Sequence, residues 1–301
     1  MSRHLRLTVF CVGLLANAGC SNERRLPTVP TDPKPVPTDP SPVPSAPQRL
    51  AALALFESAS LHERLTTSPL FANYDGKVLW TNGPCVTLLN GIPQINGSLQ
   101  SSLDGGLPPT SGTFLPTGSH TYVVSFSNCL VDYLAGTELN GVASAAYSAA
   151  EWSNLTATVS ADSMRGQGLA YGEFSELYDV TADGSAAWRR VGSSTITTTY
   201  TPAAGSRLVN NSTTNVATFG GGSYSMIQYP ATVERRFDNL KVSINGTDYT
   251  LNGSLNTTYG SIAPPYTGEI RIINNGTLVA RIYGNVRNAL TVEVLVPLVP
   301  L

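Results

Sequence analysis

Seven Asn-Gly dipeptides, beginning at Asn82, Asn90, Asn96, Asn140, Asn245, Asn252 and Asn275, set the terms on which this chain can fold. Asn-Gly is the strongest short hairpin signal, because both residues tolerate the left-handed backbone of a tight two-residue turn. Strand-length runs lie between these dipeptides. Tyr122, Val124 and Phe126 alternate with Ser125 and Ser127, and Leu290, Val292, Val294 and Val296 with Thr291 and Glu293. Ser193 to Tyr200 is a run of β-formers, four of them Thr. Such runs recur about every 10 to 15 residues, separated by Gly, Asn, Asp or Pro. No helical segments alternate with them, which argues against a parallel sheet of βαβ units.

A weak internal repeat overlies this pattern. Phe126-Ser-Asn-Cys129 is followed by Leu139-Asn140-Gly141, and Phe237-Asp-Asn-Leu240 by Leu251-Asn252-Gly253. Cys85 precedes Asn96-Gly97 at similar spacing, and Trp152-Ser-Asn-Leu155 reads as a degenerate start of another copy. Each unit reads as strand, turn, strand, with the Asn-Gly in a bulge that opens the second strand. The repeat resembles that of bacterial lipoproteins built from Phe-x-Asn-Cys…Leu-Asn-Gly hairpins, over about a third of the chain. The resemblance implies an envelope location and no particular activity.

One helix is expected, over about 48–66. Leu50, Leu53, Ala54, Leu61 and Leu65 fall at helical spacing, and Ser45 with Pro47 can open it. Leu55 and Phe56 widen the apolar surface, while Glu57 falls on the same face and needs a partner or a wet edge. We expect this helix to be partly buried. A sheet of about a dozen strands cannot stay flat and open. The expected fold is therefore all-β: a large curled antiparallel meander, as a half-barrel or a sandwich, with one short N-terminal helix. The half-barrel is favoured, because the single leucine-rich helix needs a face to bury against.

The N-terminal part of the chain reads differently. Arg3, His4 and Arg6 precede an apolar run from Leu7 to Ala16, followed by Asn17-Ala18-Gly19-Cys20. A basic start, a short apolar run and small residues make an export signal, here 1–19. The run is too short to span a bilayer. It resembles a bacterial lipoprotein signal, in which the Cys after the small residues is acylated and becomes the new N-terminus. Asn17 departs from that pattern, where Leu is usual. The resemblance implies a lipid on Cys20, and Ser21 after it implies the outer membrane. Lipid on Cys20 would then be the membrane partner, since no later segment reaches the length and apolarity of a spanning helix. Leu26 to Pro47 holds nine prolines in 22 residues. That composition favours extended polyproline II, making 20–47 a tether before one β-rich domain, 48–301.

Four cysteines are present. Cys11 leaves with the signal and Cys20 is the lipid site. Cys85 and Cys129 remain, in an oxidising compartment and at equivalent positions of adjacent units. We expect them to pair as a disulfide joining neighbouring strands.

Evidence for chemistry is thin. Charged residues make up 13% of the chain and the net charge is −2, so the basic footprint of a nucleic-acid binder is missing. His62 lies in the expected helix and His120 at a strand start. Two histidines that far apart, with no Cys to help, do not make a zinc site. No Gly-x-Ser-x-Gly elbow accompanies either of them. Glu173, Glu176 and Asp179 cluster, but on a strand Glu173 and Asp179 lie about 20 Å apart, and Glu173 and Glu176 face opposite ways. A solvated edge strand explains them better. Gly220-Gly221-Gly222 lacks the Gly-Lys-Ser/Thr of a phosphate loop and reads as a hairpin tip. Trp80, Trp152 and Trp188 are the candidates for a ligand surface, although aromatic residues on strands are more often core. No catalytic residue, metal or cofactor is expected. The expected function is a non-enzymatic lipid-anchored envelope protein, structural, adhesive or ligand-binding, with an apolar molecule as a possible ligand. A carbohydrate-binding or carbohydrate-active domain, with a glycan as partner, is the alternative.

Overall fold

A computed structural model describes residues 44–71, 83–89, 92–104, 119–132, 137–148, 154–170, 177–258, 266–285 and 290–301. The signal, Cys20 and most of the tether lie outside the described residues, which all belong to one unit, Pro42–Leu301.

It opens with helix α1, Ala46–Phe71. The helix starts where Ser45 and Pro47 suggested, with the Arg49 amide donating to the Ser45 carbonyl at 3.0 Å. It is longer than 48–66 and takes the last two residues of the expected tether. Its burial also exceeds expectation: every residue from 51 to 62 is buried, on all sides of the helix. Small and apolar residues all round (Ala51, Ala52, Leu53, Ala54, Leu55, Phe56, Ala59, Leu61) suit an enclosed helix, not one with a wet face. Leu50, expected in the core, is 44% exposed.

The described strands form a single antiparallel sheet. They run β1 (Gly83–Leu89), β2 (Ile92–Asp104), β3 (Ser119–Asp132), β4 (Thr137–Ser148), β5 (Asn154–Ala170), β6 (Leu177–Val191) and β7 (Ile196–Pro202). There follow β8 (Arg207–Asn210), β9 (Val216–Gln228), β10 (Thr232–Ile244), β11 (Thr247–Thr258), β12 (Thr267–Asn274), β13 (Thr277–Gly284) and β14 (Leu290–Val294). Spatial order follows chain order, except that β7 and β8 share one position between β6 and β9. The all-β meander with one helix is therefore the observed architecture. α1 meets β3 to β9 and also β13 and β14. Strands that far apart in one sheet reach the same helix because the sheet curls around it, as in the half-barrel alternative and unlike two packed sheets.

Bulges produce that curl. In β3, Phe126 pairs with Gly141 and Cys129 with Leu139, so β3 carries one residue more than β4. In β10, Phe237 pairs with Gly253 and Leu240 with Leu251, the same offset. The extra residues, Asn128 and Asn239, are left-handed at φ 47° and 50°. Each bulged amide has lost its ladder acceptor and finds a side chain instead. The Asn128 amide donates to Asn140 Oδ1 at 2.7 Å, and the Asn239 amide to Asn252 Oδ1 at 2.8 Å. In these two units the bulge belongs to the first strand and the Asn-Gly faces it from the second; in the Cys85 unit the extra residue lies in β2, at Asn96-Gly97, as expected. A third copy joins β5 to β6: Ala161 pairs with Gly184, Met164 with Ala182, Ser163 has φ 51°, and its amide donates to Asp183 Oδ1 at 2.7 Å. It lies at Ala161-Asp-Ser-Met164, not at the expected Trp152-Ser-Asn-Leu155; of those four, Asn154 and Leu155 open β5 as regular ladder residues.

Only some Asn-Gly dipeptides act as turns. Asn245-Gly246 and Asn275-Gly276 are hairpin tips with both residues left-handed. Asn96, Asn140 and Asn252 lie inside strands. Gly220-Gly221-Gly222 is not a hairpin tip either; it lies within β9, opposite the β10 bulge. A Cβ on Gly222 would fall 2.0 Å from the Asn239 carbonyl oxygen, so a side chain there collides with the bulge.

Candidate functional site

The buried helix would be unremarkable if it were wholly apolar, but a polar stripe runs down it. Glu57, Ser58, Ser60, His62, Thr66 and Thr67 are all buried. Each needs a hydrogen-bond partner, and Ser58 and Ser60 find theirs on the helix itself, at Leu55 and Glu57. The Glu57 carboxylate, fully buried, takes an ion pair from Arg235 on β10 at 3.1 Å and the Ser60 hydroxyl at 2.8 Å. That is the partner its sequence position required. The Arg235 guanidinium also lies over the Phe56 ring, 5.5 Å from its centre.

One turn further on, His62 spans two strands. Its Nε2 lies 3.1 Å from the Asp183 carbonyl on β6, and its Nδ1 lies 2.5 Å from the Tyr200 hydroxyl on β7. A carbonyl only accepts, so Nε2 carries the hydrogen. Burial lowers the ring to about 4, against the smaller upward pull of the Asp183 bond, so at neutral pH Nδ1 accepts from Tyr200. Thr66 Oγ1 meets the same hydroxyl at 3.0 Å. Burial raises the Tyr200 phenol well above its ordinary value. The rings of His62 and Phe219 pack edge-on, 5.1 Å apart. Asp183 ties this cluster to the third bulge: its side chain accepts the Ser163 amide while its carbonyl holds His62.

Glu63, half-buried beside His62, accepts the Trp188 indole N–H at 3.2 Å. Burial pushes its carboxyl up to about 7, with Trp188 pulling the other way. Sequence reading had marked His62 and Trp188, separately and for other reasons. It missed Glu63, Thr66, Tyr200 and Arg235 as a set. Their only signal was a run of polar residues along the apolar face of one helix.

Chemically, the cluster is a set of anchors. His62 has a base-like geometry with Tyr200, but both are sealed from solvent, so no substrate atom reaches them. Among the described residues no group of three or more His, Cys, Asp or Glu is placed to hold a metal ion, and no helix is long and apolar enough to cross a membrane.

The remaining sequence candidates separate. Trp188 is 4% exposed and belongs to the core, so it offers no ligand surface. Trp80 and Trp152, Glu173 and Glu176 lie outside the described residues, as does the His120 side chain. Asp179 lies on β6, which pairs on both sides, so the edge-strand reading is corrected. It is bidentate with Arg165 at 2.9 and 2.7 Å, and that guanidinium holds its carboxyl below the usual range. Cys129, on β3, is buried; Cys85 is on β1, with β2 between, so the two are not on adjacent strands. The β1 ladder to β2 breaks between Pro84 and Val86, where Cys85 sits.

One cleft of about 310 Å³ opens at the start of α1. Leu50, Ala51, Ala54 and Leu301 give it apolar walls, with Asp179 and Ser212 at its polar side. No known family model, curated protein or solved structure matches this chain.

Proposed function

We propose that the chain is a non-enzymatic, lipid-anchored protein of the bacterial cell envelope, acting through the outer surface of a rigid domain held off the membrane by its proline-rich tether. Cys20 carries the anchor in this reading, and the outer membrane is its address. The observation that carries the non-enzymatic part is the enclosure of α1: helix residues 51–62 fill the concave side of the sheet, where a lipid carrier would keep its cavity and where the strongest cluster of polar groups is sealed. Recognition then falls to the exterior and to the cleft beside Leu50.

Metabolic labelling of the producing cells with a fatty acid tests the anchor. The expected result is a labelled protein in the membrane fraction, with label lost in Cys20→Ala. A full-length, unlabelled protein in the cytosol would remove the reading.

The Cys85–Cys129 disulfide belongs to the same proposal. Supporting it, Cys129 is buried on β3, and Cys85 is the other cysteine of the unit Pro42–Leu301. A bridge closing a loop of about 45 residues stabilises by about 4 kcal/mol on the chain-entropy model, often less. Alkylation of the exported protein without reduction is expected to leave both cysteines unmodified. Adducts on either would break the pairing.

A further inference from the structure

We propose that Asn275 is a site of spontaneous covalent modification, its side-chain amide converting to a carboxylate, while Asn245 in the same tripeptide is locked against it. Asn245-Gly246-Thr247 and Asn275-Gly276-Thr277 are identical in sequence. Both form the tips of two-residue hairpins, closed by the pairs Ile244–Thr247 and Asn274–Thr277. Their backbones match, with Asn at φ 48° and 46° and Gly at φ 85° and 78°. All four tip residues are exposed, and a Cβ on either glycine would meet nothing within 4 Å. Water and room are therefore alike at the two sites.

The asparagine side chains differ. Asn245 Oδ1 accepts the Val216 amide at 3.0 Å, and its Nδ2 donates to Asn215 Oδ1 at 2.7 Å. Among the described residues the Asn275 side chain makes no hydrogen bond. Its neighbour Asn274 is the one tied down, donating to the Asp248 carbonyl at 2.6 Å. The Asn275 carboxamide is thus free to swing about χ1 toward the Gly276 nitrogen, and glycine has no side chain to block the approach. The bulge pairs are excluded on both counts. Asn140 and Asn252 each hold a stranded amide, and a Cβ on Gly141 or Gly253 would fall 2.3 or 2.2 Å from a neighbouring carbonyl oxygen.

The chemistry needs only water. The Gly276 amide nitrogen gives its proton to hydroxide and bonds to Asn275 Cγ. The Cγ–Nδ2 bond breaks, and that nitrogen takes a proton from water and leaves as ammonia. A cyclic imide remains. Water then opens it at Cγ to give aspartate, or at the Asn275 backbone carbonyl to give isoaspartate, which lengthens the chain path by one carbon. Nothing is oxidised or reduced. Either product leaves a negative charge on the exposed tip between β12 and β13.

Peptide mapping of the intact exported protein, aged in mildly alkaline buffer with and without urea, tests it. In the folded protein the peptide holding Asn275 is expected to gain one mass unit and to separate into aspartate and isoaspartate forms. The two bonds that must open at Asn245 correspond to a rate there about tenfold slower or more. In urea both tripeptides should convert alike, because the ties are gone. An unchanged Asn275 in the folded protein, or an Asn245 that converts as fast as Asn275, would overturn the proposal. So would the same difference persisting in urea, since sequence context and not the folded structure would then set it.

Discussion

Asn and Gly do two jobs in this chain, and the atoms distinguish them. At 245–246 and 275–276 they turn a hairpin. At 140–141 and 252–253 they answer a bulge: the amide side chain accepts a stranded N–H, and the glycine leaves room for the next strand. Gly253 shows the second role, since a Cβ would lie 2.2 Å from the Glu269 carbonyl oxygen at a φ of 112°. Asn252→Ala should therefore cost about 1 kcal/mol, the value of one hydrogen bond, and Gly253→Ala more, by strain of about 1–3 kcal/mol. Urea midpoints of the two variants give the order. The buried ion pair has a larger stake. Arg235→Ala removes the cation that faces the buried Glu57 carboxylate and should destabilise by about 3–5 kcal/mol. His62 sets the acid arm. Its folded value is lowered, so its contribution is present above about 6.5 and lost as pH falls through about 4. His62→Gln should flatten that arm in unfolding experiments, and a variant as acid-sensitive as the wild type would count against this role.

At the scale of elements, much was legible in the sequence. The alternation of Val124 and Phe126 placed β3, and the leucine spacing placed α1 within a few residues of its start. What the helix would touch was not legible. Its leucines marked one face, but Ala51, Ala52, Ala54 and Ala59 are small enough to be enclosed from any side, and only the curl of the sheet decides that they are. Glu57 and Glu63 read alike in sequence; their difference lies in Arg235 and Trp188, over 120 residues away in either case. The third bulge escaped notice because Ser163 and Asp183 stand where the other copies have Asn, although Asp offers the same accepting oxygen. The triple glycine misled for a related reason: its freedom serves close approach to a neighbouring bulge, not a turn. β14 shows the limit of alternation, since Val292 and Glu293 are both buried, Glu293 through its ion pair with Arg281.

At the scale of the molecule, local bulges become one global shape. Three equivalent offsets lie in β3, β5 and β10, and in the curled sheet strands as distant as β4 and β14 reach one helix. The helix repays the curl by filling the concave side with apolar surface and tying itself to β6, β7 and β10 through His62, Glu63 and Glu57. Enclosure of α1 is thus the claim on which the shape, the sealed polar cluster and the outward-facing function all rest. Amide hydrogen exchange of the intact exported protein, followed by mass spectrometry across 46–71, tests it most directly. Amides of residues 51–62 should exchange only with global unfolding, as slowly as those of β10 and β11. Exchange of that segment well ahead of the strands around it would contradict a sheet built about its helix.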